Sequence, residues 1–109
     1  AGSNEIATHT FDAVPDPVLL DDPSSVGANR LTLTWSVNGA TDFSEYRIYR
    51  SLQPGVTTAS TLVTTIADRE RTYYDDTGLD LAGSNYYYRI YVFDLSGKNS
   101  RSNEVTTAP

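Results

Sequence analysis

Cysteine and methionine are missing from this sequence, and histidine occurs once, as His9. Without cysteine there is neither a disulfide framework nor a thiolate metal site, so packing alone must hold the fold together. A lone histidine with no cysteine also leaves a Ser-His-Asp or Cys-His nucleophilic site short of its parts. His9 lies in a Thr-, Asp- and Ala-rich stretch with no fixed partner and is read as a solvated residue. Basic residues are few, eight against fourteen acidic, and seven of the eight are scattered arginines, giving a net charge of -6. That field repels phosphate backbones and anionic lipid, which argues against nucleic acid and membrane surfaces as partners. No apolar run approaches the roughly 18 residues that span a bilayer, and no charged-then-apolar leader precedes the domain. No helical period appears either. With 109 residues the chain is long enough for one core and too short for two.

What is present is strand-forming sequence, concentrated in Tyr86-Tyr87-Tyr88-Arg89-Ile90-Tyr91-Val92-Phe93-Asp94. This run is aromatic and β-branched and has no Gly or Pro to break it. Side chains alternate faces along a strand, so Tyr86, Tyr88, Ile90 and Val92 point inward while Tyr87, Arg89, Tyr91 and Phe93 point outward. Upstream, residues 1–16 read as an arm or linker and 17–109 as the domain, with Phe11 and Val14 as residues that could pack along its edge. Val18-Leu19-Leu20 is a brief edge strand stopped by Asp21-Asp22-Pro23. Ser24 to Asn29 reads as a turn. Strict alternation follows in Arg30 to Ser36, with Leu31, Leu33 and Trp35 inward.

Asn38-Gly39 is the strongest short-range turn signal in the chain. Phe43 to Ser51 is the next strand, with Tyr46 and Ile48 inward and Arg47 and Tyr49 outward, and Pro54-Gly55 closes it. Thr61 to Ala67 and Arg71 to Asp75 supply two more strands, Tyr74 and Thr72 sharing a face in the second. Ser100 to Thr107 is the last, with Val105 as its core residue. Leu79 completes the predicted core. Seven short strands with turns about every 8 to 12 residues are the pattern of an all-β, two-sheet antiparallel sandwich.

The combined spacing resembles a fibronectin type III domain over about residues 17 to 108. Leu31-Thr-Leu-Thr-Trp35 resembles the second strand with its core Trp, and Tyr46-Arg-Ile-Tyr-Arg-Ser51 the third. Thr72-Tyr-Tyr74-Asp-Asp76-Thr-Gly-Leu79, Ala82-Gly83 and Tyr86-Tyr-Tyr-Arg-Ile90 are similar to the version common in secreted bacterial proteins, especially polysaccharide-degrading enzymes. Ser102-Asn103-Glu104-Val105 resembles the last strand. The resemblance implies a seven-stranded, immunoglobulin-like sandwich and a tyrosine corner at Tyr86, whose hydroxyl would bond upstream backbone. The interval from Leu79 to Tyr86 is one residue longer than the family pattern, with Leu81 as the extra residue. An Arg-Gly-Asp tripeptide, used by cell-adhesion members, is absent from Asp94-Leu-Ser-Gly-Lys-Asn99.

Three groups of residues could carry chemistry. The pairs Asp21-Asp22 and Asp75-Asp76 lack the spacing of a calcium loop and are read as turn residues bonding their own backbone. Outward Tyr49, Tyr87, Tyr91 and Phe93, with Arg47 and Arg89, form one ribbon across neighbouring strands. Three readings of that ribbon stand: cross-strand packing of a wet face, a contact covered by a neighbouring domain, or a platform on which sugar rings stack. The expected function is a non-catalytic spacer and interaction module of a larger secreted or surface-attached bacterial protein, without cofactor or metal and monomeric in isolation. Its partners would be neighbouring domains of the same polypeptide, with polysaccharide or a surface protein as further candidates, and its location extracellular or at the cell surface. Alternatives are a carbohydrate-binding accessory domain, which requires Tyr49 and Tyr91 to be exposed and coplanar, and a protein-adhesion domain using the loops around Asn38, Pro54 and Gly97.

Overall fold

The computed structural model describes residues 15–25 and 27–108. His9, Phe11 and Val14 therefore lie outside the described residues. Eight strand segments follow in order: β1 (Ser24–Ser25), β2 (Leu31–Thr34), β3 (Phe43–Ser51), β4 (Thr61–Ile66), β5 (Tyr73–Asp76), β6 (Tyr87–Asp94), β7 (Asn99–Arg101) and β8 (Val105–Thr106). They build a three-stranded sheet, β1-β2-β5, and a five-stranded one, β4-β3-β6-β7 with β8 also on β6, all antiparallel. Among the described residues, the first and last strands are interrupted. Leu20 bridges Trp35 before β1 resumes on β2, and β7 and β8 are two pieces of one strand along β6. Counted once each, they leave the seven strands of an antiparallel sandwich.

Alternation assigns the faces. Leu31 and Leu33 are fully buried and Trp35 nearly so, from one sheet; Tyr46, Ile48, Tyr88, Ile90 and Val92 meet them from the other. Tyr86, Leu79 and Val105 are buried at the margins with Val18, Leu20 and Ile66, and Tyr74 is half-buried against this core. Aromatic packing is edge-on, with Trp35 5.6 Å and Phe43 4.8 Å from Tyr46 between ring centroids, the geometry that ring quadrupoles favour.

Three local readings change. Val18-Leu19-Leu20 makes a single ladder bridge rather than a strand, because Asp21-Asp22-Pro23 follows at once and proline has no N–H to donate. Ser24-Ser25 is not turn but strand, paired with Thr32 and Leu31. The turn falls later, where Gly27 takes a φ of 97°. Asn38-Gly39 is not a hairpin turn, since a type I′ turn needs positive φ at both central residues and Gly39 does not have it. This segment carries the chain from one sheet to the other, and Asn38 is buried as its anchor. Its side chain donates to the Asp16 carbonyl (2.7 Å) and accepts from the Ala40 N–H (3.0 Å). Its own N–H donates to the Tyr46 hydroxyl (2.9 Å), which in turn donates to the Arg69 carbonyl (2.8 Å).

The tyrosine corner is in place. The Tyr86 hydroxyl accepts the Asp80 N–H at 2.9 Å, and the extra residue, Leu81, is half-buried against the core with its N–H on the Ala28 carbonyl. The first described residues dock at one end of β6, where the Pro15 carbonyl accepts from the Ser100 hydroxyl and Ser100 lies opposite Val92. Thr106 lies opposite Tyr87, at the other end of β6. Val92 and Tyr87 are five residues apart, about 17 Å along a strand. Pro15 and Thr106 thus lie at opposite ends of β6.

Candidate functional site

The outward ribbon sits on β3 and β6, and its pattern follows from register. Cross-strand partners are Glu45 with Phe93, Arg47 with Tyr91, Tyr49 with Arg89, and Ser51 with Tyr87. Each charged side chain of the ribbon thus lies opposite an aromatic one across the two strands. Arg47 lays its guanidinium 4.0 Å over the Phe93 ring and pairs with the Glu45 carboxylate, a hydrogen bond that raises the pKa of its guanidinium.

Tyr49 and Tyr91 do not form an exposed platform. They are 5% and 6% exposed, and their rings meet edge-on, 5.4 Å apart with planes at 86°. A sugar ring needs a free aromatic face, and these two faces are perpendicular and covered. The cover is Val56, from the segment between β3 and β4, which forms a second hydrophobic cluster with both tyrosines. Tyr87 and Phe93 flank that cluster, half-buried.

Glu104, between β7 and β8, holds the covering segment in place. Its carboxylate accepts the N–H groups of Val56 (2.6 Å) and Gly55 (3.0 Å) and lies 3.5 Å from an Arg89 nitrogen. The sequence reading assigned no role to Val56 or Glu104. Pro54-Gly55 was the available signal, because a turn there folds the chain back over whatever β3 presents outward.

A second polar constellation lies between the sheets. Asp76, buried on β5, accepts from Arg50 Nη1 at both carboxylate oxygens (2.9 and 3.1 Å) and from the Tyr88 hydroxyl at 2.6 Å. Arg50 and Tyr88 are register partners in the larger sheet, and Asp76 is the partner of Leu31 in the smaller one. Burial and the adjacent Asp76 carboxylate both push the Tyr88 pKa far upward. Burial is the largest single influence on Arg50 and works against its charge, yet the hydrogen bond to Asp76 and the charge interactions with Asp76 and Tyr88 together exceed it, and the Arg50 pKa is raised. Asp76 is thus no turn residue. It continues the inward alternation from Tyr74, and Arg50 continues that of Tyr46 and Ile48.

Two more carboxylates of these acidic pairs have partners. Asp75 accepts from the Thr32 hydroxyl (2.6 Å) and Asp21 from that of Thr34 (3.1 Å), cross-strand rather than within a turn. Among the described residues no three His, Cys, Asp or Glu side chains come together as a metal site. A groove of about 400 Å³ opens beside β1, lined by Asp22, Pro23, Ser25, Leu31, Leu81 and residues 106–108. Asp22 is the one carboxylate in that lining, so it offers no acid–base pair.

No family model matches the chain, and no curated protein sequence matches it. Solved structures do. A Fn3-like protein from Clostridium thermocellum is 26% identical with a TM-score of 0.66, the match covering 86% of this chain and 92% of that one. The sixth fibronectin type III domain of human fibronectin type III domain containing protein 3 is 20% identical, with a TM-score of 0.64 over 86% and 84%. Pectate lyase PelI from Erwinia chrysanthemi, in complex with tetragalacturonic acid, is 22% identical with a TM-score of 0.70. That match covers 84% of this chain but only 28% of the lyase. The fold is that of a fibronectin type III domain, an immunoglobulin-like sandwich.

Proposed function

We propose that this chain, a domain of fibronectin type III fold, is a non-catalytic spacer and interaction module of a larger secreted or surface-attached bacterial protein. The observation that carries the reading is the polarity of the sandwich. Pro15 docks beside Ser100 at one end of β6, and Thr106 pairs with Tyr87 at the other. A module joined at opposite poles holds whatever flanks it at a separation set by strand length. The stiffness comes from the interior, where the Arg50–Asp76–Tyr88 contacts tie one sheet to the other and Asn103 clasps both backbone groups of Leu20 (2.8 and 2.9 Å). Similarity to about a quarter of a pectate lyase supports an accessory role beside an enzyme. Its partners on this reading are the neighbouring domains, with nucleic acid and membrane disfavoured by the net charge of -6.

The absence of cysteine makes the test direct. Cysteines introduced at Asp16 and Ala108 give unique labelling sites for a dye pair. A spacer shows one narrow inter-dye distance that persists as salt rises from low to molar concentration. A broad or salt-dependent distribution defeats the reading, because such a module would fix no separation. Retention of the purified domain on insoluble cellulose, chitin or xylan would favour the carbohydrate-binding alternative, against which the buried, perpendicular Tyr49 and Tyr91 rings now count.

A further inference from the structure

Residues 52–60, between β3 and β4, cross the outer face of the larger sheet as a strap. Val56, 1% exposed, is the one buried residue in it. Its remaining hydrogen bonds are local, from Gln53 to Ser51 and within residues 57–60. Among the described residues, the bonds that tie the strap to a distant part of the chain all end on one group, the Glu104 carboxylate. The hydrophobic cluster beneath it is separate from the core between the sheets. Gly55, at a φ of 93°, makes the bend that presents two successive N–H groups to that carboxylate.

We propose that the strap is a latched cover that opens as a unit, released at Glu104, while the sandwich stays folded, and that opening uncovers Tyr49 and Tyr91. The physical ground is the disparity in what each event breaks. Opening the strap loses the Glu104 bonds, the burial of one valine and part of the burial of two tyrosines. Opening the sandwich loses the whole inter-sheet core. Segments with few buried apolar contacts and few long-range bonds open below the global unfolding free energy. Arg89 stays on β6 beside Glu104 whether the strap is closed or open, so the carboxylate keeps a cation when the N–H groups leave.

Amide hydrogen exchange and tyrosine nitration on the intact chain test this. In the parent, the Gly55 and Val56 amides exchange faster than those of Tyr88 and Ile90 in the core of β6. Glu104→Ala speeds Gly55 and Val56 by about tenfold or more, as expected for losing charge-assisted bonds, leaves β6 unchanged, and makes Tyr49 and Tyr91 open to nitration. Glu104→Gln, which keeps an acceptor oxygen without the charge, falls between. Val56→Ala, with the latch intact, speeds the same amides by removing the plug. Equal exchange of strap and β6 amides in the parent would overturn the proposal, as would an unchanged strap in Glu104→Ala. So would acceleration spread evenly over β6, since Glu104 would then serve global stability alone.

Discussion

The two faces of the larger sheet carry nearly the same residue types to different ends. Inward, Tyr46, Ile48, Tyr88, Ile90 and Val92 meet a second sheet and lose all contact with solvent. Outward, Tyr49, Tyr91, Tyr87 and Phe93 share the face with Arg47 and Arg89 and meet only a strap anchored by Val56. Tyrosine is common to both faces, so composition does not separate them. What separates them is what lies opposite: a sheet offers many apolar contacts along its length, a strap offers one. The same contrast holds for polar groups. Inside, Asp76 takes three hydrogen bonds and joins two sheets; outside, Glu104 fastens one loop.

Substitutions break this comparison at both ends. Trp35→Ala removes the largest inward side chain and is expected to cost about 3 to 5 kcal/mol. Urea unfolding followed by far-ultraviolet circular dichroism measures it, since the variant has no tryptophan left to report. Asp76→Ala strands Arg50 between the sheets, a loss of about 3 kcal/mol. Arg50 is 28% exposed at its side chain and can partly swing to water, which places this at the lower end for a broken buried pair. Adding Arg50→Met to that variant recovers part of the loss if the stranded charge is its source.

Tyr91→Ala, on the outer face, is expected to cost about 2 kcal/mol, with the Trp35 emission maximum unchanged because the inter-sheet core is untouched. A loss as large as that of Trp35→Ala would erase the distinction between the faces. Tyr88→Phe keeps the ring and removes one hydrogen bond to Asp76, for about 1 to 2 kcal/mol at neutral pH. Its sharper signature is alkaline. The Tyr88 pKa is raised in the folded state, and so is that of Tyr46 through burial. Above about pH 10 the unfolded chain loses those phenolic protons while the folded one keeps them. The stability they contribute is complete below that pH and declines above it, by up to about 1.4 kcal/mol per pH unit for each such tyrosine. Tyr88→Phe should make the decline shallower, and an unchanged slope would mean that Tyr88 ionises as readily inside as out.

Much of this architecture is legible from alternation. Leu31, Leu33 and Trp35 in one strand and Tyr88, Ile90 and Val92 in another fall two residues apart, and a pleated strand sends such positions to one face. The same rule reaches Arg50 and Asp76, whose charges mask their inward parity. Asn38-Gly39 misleads because the dipeptide reports turn propensity only, while the chain there passes between sheets and uses the asparagine as a buried clasp. Tyr49 and Tyr91 mislead for a related reason: parity states which face a side chain occupies and is silent on whether anything covers it.

The sequence by itself determined the longer strands, the inward faces of their apolar residues and the two-sheet architecture, because those depend on local period and on apolar positions close along the chain. Only the tertiary structure decided that Glu104 reaches back 48 residues to Val56, that Arg50 and Tyr88 find Asp76 across the sandwich, and that Pro15 and Thr106 lie at opposite ends of β6. These are long-range pairings. They depend on where a finished fold brings segments together, and no period in the chain encodes that.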